Sequence, residues 1–169
     1  MLLLTILASL TCNGYAFALP QQAFVDVDQK IPADLPRRDD VLKAAEAVRR
    51  ACNITERLQP DSTRNEERIG TVEKADLSPV TVADFAVQGL ILDSLHTHFP
   101  DDGLIAEEDS SSLRANESII QRVADAAGLS TDEILHAIDL GKSYRDWKQR
   151  PTRVWCLDPI DGTRGFLLC

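Results

Sequence analysis

The apolar run Val154-Trp155-Cys156-Leu157 passes without a spacer into Asp158-Pro159-Ile160-Asp161-Gly162-Thr163, and no other stretch restricts the fold as tightly. Introduced by Arg153, the run reads as a buried strand that amphipathic helices elsewhere must help to cover. Pro159 fixes one backbone angle and Gly162 permits a tight turn, so two carboxylates and the Ile160 carbonyl can converge on one point at the strand's end. Hard oxygen donors on a short rigid loop suit magnesium, which is held by a few carboxylates while water and substrate phosphate complete its octahedron. The competing reading is a surface turn, since Asp-Gly pairs are common turn formers. The full string is specified at five positions, and at residue frequencies of roughly 5% it arises by chance on the order of once in a few million.

From Asp39 onward Val41, Ala44, Ala45, Val48, Ala51, Cys52, Thr55 and Leu58 recur at intervals of three and four. They predict an amphipathic helix that ends before Pro60 and turns its apolar stripe to a sheet. Residues 61–79 are polar and turn-rich, and a second helix is expected from about Val82 to Leu95, closed by Phe99-Pro100. Asp101-Asp102-Gly103 reads as a turn. Leu104-Ile105-Ala106 is a short strand that delivers Glu107-Glu108-Asp109 at its end, before a Ser-rich loop at 110–112. Further helices are expected over 117–127 and 131–140, the second with Ser130 and Glu133 as a capping box and Gly141 as its stop.

With 169 residues, 44% apolar and 27% charged, the chain suits one soluble globular core, as one domain or part of one. A net charge of -9 leaves no basic stripe for nucleic acid, and a polyanionic substrate would need bound cations. Cys12, Cys52, Cys156 and Cys169 form no C-x-x-C pair and no zinc-like spacing with His96, His98 or His136, so no disulfide framework is expected. His96 and His98 stand two apart near a helix end and read as exposed residues, not ligands.

Residues 1–19 read as a targeting segment: an apolar run from Leu2 to Leu10, then Ala16-Phe17-Ala18 before Leu19-Pro20. The run is too short for a membrane span. Its junction looks like that of a two-part address for a plastid of secondary origin, and the alternatives are the secretory route or the cytoplasm. Removal leaves an odd number of cysteines, which favours a reducing compartment. Asn53-Ile54-Thr55 and Asn116-Glu117-Ser118 match the glycosylation pattern, but Asn53 falls inside the first helix. Residues 20–38, with Pro20, Pro32 and Pro36, read as a linker or transit stretch, and the globular part begins at 39.

The string Trp155-Cys156-Leu157-Asp158-Pro159-Ile160-Asp161-Gly162-Thr163 resembles the signature of the inositol monophosphatase superfamily and, within it, of the bisphosphate nucleotidases. Ser78-Pro79-Val80-Thr81-Val82-Ala83-Asp84 is a second element of the resemblance and Leu104-Ile105-Ala106-Glu107-Glu108-Asp109-Ser110 a third. Ala106 stands where the superfamily usually has Gly, a departure the strand end should tolerate. The resemblance covers residues 40–168. It implies a layered α+β fold, here the truncated N-terminal part of an αβαβα sandwich, with residues 39–169 as the partial N-terminal domain of a sugar/nucleotide phosphatase whose C-terminal domain is missing.

By resemblance Glu107, Asp158, Asp161 and the Ile160 carbonyl hold magnesium, with Asp158 and Asp161 bridging the metals. Asp84 and Thr163 orient and deprotonate the attacking water, Gly162 and Thr163 contact substrate, and Glu108 orients a ligand or a metal-bound water. For Asp84 the competing reading is a capping box with Thr81, and for Glu107-Glu108-Asp109 a solvated acidic turn. The implied activity is lithium-sensitive hydrolysis of the 3′-phosphate of adenosine 3′,5′-bisphosphate or its sulfated form, a step tied to sulfur assimilation. The alternatives are an inositol phosphate phosphatase or an inactive fragment. The insert ending Ile138-Asp139-Leu140-Gly141 favours the nucleotidase branch. The implied partner is a small nucleotide, with no nucleic acid, no membrane after removal of the leader, and a monomer at full length. Because the chain ends at Cys169, before the second domain that the resemblance implies, by itself it is expected neither to fold stably nor to turn over substrate.

Overall fold

The helix with the least amphipathic sequence lies at the centre of the computed structural model, which describes residues 2–7, 31–58, 71–73, 79–142, 151 and 153–160. This is α2 (Val82–His98), buried without a break from Val82 through Leu92. A helix that is apolar all round has to be packed all round. Its cover comes from α1 (Arg38–Leu58), α4 (Glu117–Ala127) and α5 (Thr131–Leu140), each of which packs against it. Those three are amphipathic and turn Ala44, Ala47, Ala51 and Ile54, Val123 and Ala124, and Ile134 and Ile138 inward. Where α5 meets α2, a Cβ on Gly89 would lie 2.2 Å from Ile134 Cδ1, so glycine there sets how closely the helices approach.

The remaining elements are β1 (Leu2–Leu7), β2 (Thr71–Glu73), β3 (Pro79–Thr81), β4 (Gly103–Ala106), the one-turn helix α3 (Ser111–Arg114) and β5 (Arg153–Asp158). β1, β5 and β4 form a parallel sheet in that order, with Gly103 opposite Val154 and Ala106 opposite Leu157. Leu104, Trp155 and Leu157 join the helical core, while Ile105, 37% exposed, points to the other side of the sheet. Leu2–Leu7, read above as part of a targeting segment, pairs with β5 from Leu2 opposite Arg153 to Leu7 opposite Asp158. Six consecutive residues of Leu, Thr and Ile suit an edge strand as well as a leader.

The helices over 117–127 and 131–140 occur where the pattern places them, and the Ser130–Glu133 capping box is formed. α4 begins at Asn116, whose Oδ1 accepts the Ile119 N–H at 3.2 Å, and ends at Gly128 in the left-handed region. Gly141 stops α5 for another reason. Its φ of -60° is helical, and its value lies in size: a Cβ there would stand 2.8 Å from that of Ala106. Its carbonyl accepts the Ala106 N–H at 3.0 Å. Ala106 and Gly141 are thus a matched small pair, which is how this chain accommodates alanine at the strand end.

Three expectations need adjustment. The stretch 61–79 contains β2 and the first residue of β3, an antiparallel pair of three-residue strands too short to show a period. The Ser-rich loop at 110–112 begins α3, and α2 runs on past Leu95 to His98. No helix among the described residues is long and apolar enough to cross a membrane.

At the start of β5, Arg153 is buried against Asp102 and Asp40, and its guanidinium lies 4.4 Å from the Phe99 ring centre and 4.9 Å from that of Trp155. This ties the first turn of α1, the turn before β4 and the start of β5 together, at the opposite end of β5 from Asp158.

Candidate active site

Beyond the paired residues Ala106 and Leu157, the next residue on each strand is a carboxylate, Glu107 after β4 and Asp158 closing β5. Neighbouring strands run about 4.8 Å apart, so the two side chains start within reach of one cation. Glu107 is exposed and Asp158 half-buried, with its Oδ1 shielded from solvent. Pro159 and Ile160 are buried. Ile160 packs with Ala83 and Leu58, which brings the first turn of α2 against the loop after β5.

Asp84 lies in that first turn and is 1% exposed. Its Oδ2 accepts the Thr81 N–H at 2.8 Å and the Thr81 hydroxyl at 2.6 Å, while the Asp84 N–H donates back to Thr81 Oγ1 at 3.3 Å. The capping box is therefore formed, and it fixes the Asp84 carboxylate at the helix end beside the Asp158–Ile160 loop. One turn later on the same face, Gln88 is fully buried and bonds the main chain of Glu108 twice. Its Nε2 donates to the Glu108 carbonyl at 2.7 Å, and its Oε1 accepts the Glu108 N–H at 2.9 Å. The motifs did not reveal Gln88. The available signal was a lone amide within the apolar stretch 82–92, four residues after Asp84.

Asp109 serves the turn. Hydrogen bonds from Ser111 and the Lys142 ammonium at 3.1 Å hold its carboxyl down to about 2, so it is ionised at neutral pH. Asp139 accepts from Ser110 at 2.7 Å and from Arg114 at 2.8 Å, tying α3 to α5. Of the acidic triplet, Glu108 is buried, and the exposed Glu107 adjoins Asp158 in register.

Asp161, Gly162 and Thr163 lie outside the described residues. Among the described residues no group of three or more His, Cys, Asp or Glu side chains is arranged to hold a metal ion. The donors present, Glu107 and Asp158 on adjacent strand ends, are hard carboxylate oxygens of the kind that fit a hard divalent cation. The histidines take no part. His96 meets His136 edge-on at 6.4 Å, and His98 Nδ1 lies 2.8 Å from the Ser94 carbonyl, at the far end of α2 from Asp84.

Comparison with known proteins gives a match to the inositol monophosphatase family over residues 37–169. A 3′(2′),5′-bisphosphate nucleotidase 1 of Candida albicans is 38% identical over 148 residues, which is 78% of this chain and 40% of that protein. An Arabidopsis thaliana protein, whose name gives the same activity and a mitochondrial location, is 43% identical over 133 residues, 73% of this chain and 33% of its own. A 3′(2′),5′-bisphosphate nucleotidase of Emericella nidulans is 38% identical over 138 residues, 72% of this chain and 37% of that protein. The chain thus spans 33 to 40% of these relatives.

Proposed function

Because the chain belongs to the inositol monophosphatase family, whose members are generally metal-dependent, we propose that it carries metal ligands of a magnesium-dependent phosphomonoesterase. Its substrate is adenosine 3′,5′-bisphosphate or the sulfated form, and the 3′-phosphate is removed. The observation that carries this reading is the meeting of Glu107 and Asp158 at adjacent strand ends, with the Asp84 turn packed on the loop that follows Asp158.

In this reading Glu107, Asp158, Asp161 and the Ile160 carbonyl hold the ions. Bound magnesium supplies charge stabilisation at the phosphoryl and leaving oxygens and lowers the pKa of the attacking water. Asp84, held by Thr81 through one oxygen, orients that water together with Thr163 and takes up its proton. Gly162 and Thr163 contact the substrate. Uncatalysed monoester hydrolysis is among the slowest reactions known, so positioning and electrostatics must supply most of the acceleration. An organellar destination, a plastid, completes the proposal; it rests on the Leu2–Leu10 run and the Ala16-Phe17-Ala18-Leu19-Pro20 junction.

The test is phosphate release by a chimera in which residues 37–169 replace the matching segment of the Candida albicans relative. The expected result is magnesium-dependent, lithium-inhibited hydrolysis of adenosine 3′,5′-bisphosphate. A wide preference for inositol 1-phosphate would overturn the nucleotidase reading, and an inactive but folded chimera would overturn the enzyme reading. A fluorescent protein fused after residue 38 reports the compartment, and accumulation outside plastids rejects that part.

A further inference from the structure

We infer that Gln88 is a positioning residue for the metal-facing end of β4, fixing Glu107 through the main chain of Glu108. The inference rests on the proposal that Glu107 is a metal ligand. Gln88 engages the Glu108 N–H and C=O with the two ends of its carboxamide, at 2.9 Å and 2.7 Å. This reproduces the pair of bonds that a neighbouring strand would make, but it comes from a helix side chain.

Just before Glu107, the Ala106 N–H is bonded to the Gly141 carbonyl at 3.0 Å. Glu107 therefore lies between two residues whose backbones are held from different helices, and its exposed carboxylate projects from a fixed point. Gln88 and Asp84 share one face of α2, a single turn apart. The same rigid helix thus sets the spacing between the Asp84 carboxylate and the backbone that carries Glu107. Only a carboxamide of this length satisfies both groups. Glutamate would turn a second acceptor toward the Glu108 carbonyl, leucine offers neither bond, and asparagine is one methylene too short.

The variants Gln88→Glu and Gln88→Leu, with Gly128→Ala as a control for stability alone, are made both in the chain and in the chimera. Mn²⁺ binding is followed by water proton relaxation below each protein's melting temperature, and amide exchange is read at Glu108. Both Gln88 variants should bind Mn²⁺ about 10- to 100-fold more weakly, the usual loss when a ligand's supporting bond is removed. Exchange at Glu108 should accelerate at least about tenfold in Gln88→Leu, which removes the acceptor of the buried Glu108 N–H. Gly128→Ala should lower the melting temperature and leave Mn²⁺ affinity unchanged. Gln88 variants with wild-type affinity would overturn the positioning role while the metal site stands. Wild-type protein that binds no Mn²⁺ in either form would overturn the metal site, and this inference with it.

Discussion

Arg153→Met removes a charge that three separate segments share, and its cost follows from how deeply each partner is buried. The Arg153 side chain is 4% exposed, and its Nε donates to Asp102 Oδ2 at 2.5 Å, where Asp102 is 9% exposed. The Trp155 indole N–H donates to the same oxygen at 2.7 Å. Methionine fills the space of the aliphatic stem but leaves Asp102 as a buried carboxylate without its countercharge. Removing one partner of such a pair costs about 3–5 kcal/mol. The Asp40 contact, with that side chain 25% exposed, is partly solvated and adds at most ~1 kcal/mol. For a domain of this size each kcal/mol lowers the melting temperature by about 2–4 °C, so a fall of roughly 6–24 °C is expected in thermal unfolding. Adding Asp102→Leu removes the stranded charge and should restore more than half of the loss. A fall worth less than about 1 kcal/mol, or a double variant no better than the single one, would refute the argument that this cluster holds β5.

Gly141→Ala should cost about 1–3 kcal/mol by forcing two Cβ atoms together, and Ala106→Gly in the same chain should recover most of it; urea unfolding measures both. Asp40 is pushed up by burial, but hydrogen bonds from Arg153 and Arg37 outweigh this and hold its carboxyl below the ordinary value of 3.8. Its contribution is therefore complete above pH 3.8 and disappears as pH falls below it. Urea midpoints taken on the acid side should fall less steeply in Arg153→Met than in the wild type. Asp161→Asn in the chimera should abolish turnover with circular dichroism unchanged, and near-normal turnover at saturating magnesium would remove Asp161 from the site.

What the sequence made legible had a local cause. α5 combines a clear 3.6-residue period with the Ser130–Glu133 capping box and Gly141, so both its ends could be placed, and the period alone placed α4. β5 was legible because an unbroken apolar run met an unusual motif. β2 and β3 were not legible, since three residues hold no measurable period. Nor was whatever depends on partners distant in sequence. Arg153 meets Asp102 across 51 positions and Asp40 across 113, and Gln88 meets Glu108 across 20. Asp84 shows that competing readings need not exclude each other. Its capping bonds are made, and by making them it places a carboxylate where the proposed chemistry needs one.

The charge arrangement along β5 ties stability to function. At its start the acids Asp40 and Asp102 are neutralised internally by Arg153. At its end, five residues on and about 17 Å away at the rise of a strand, Asp158 stands in register with Glu107. In the proposed reading that end of the sheet takes up a divalent cation, while the other end carries an ion cluster built from the chain itself. The two ends are mechanically linked. A slip of β5 by one residue would carry Asp158 to the opposite face, so the arginine cluster that costs most to disrupt is also the one that keeps the carboxylate beside its partner.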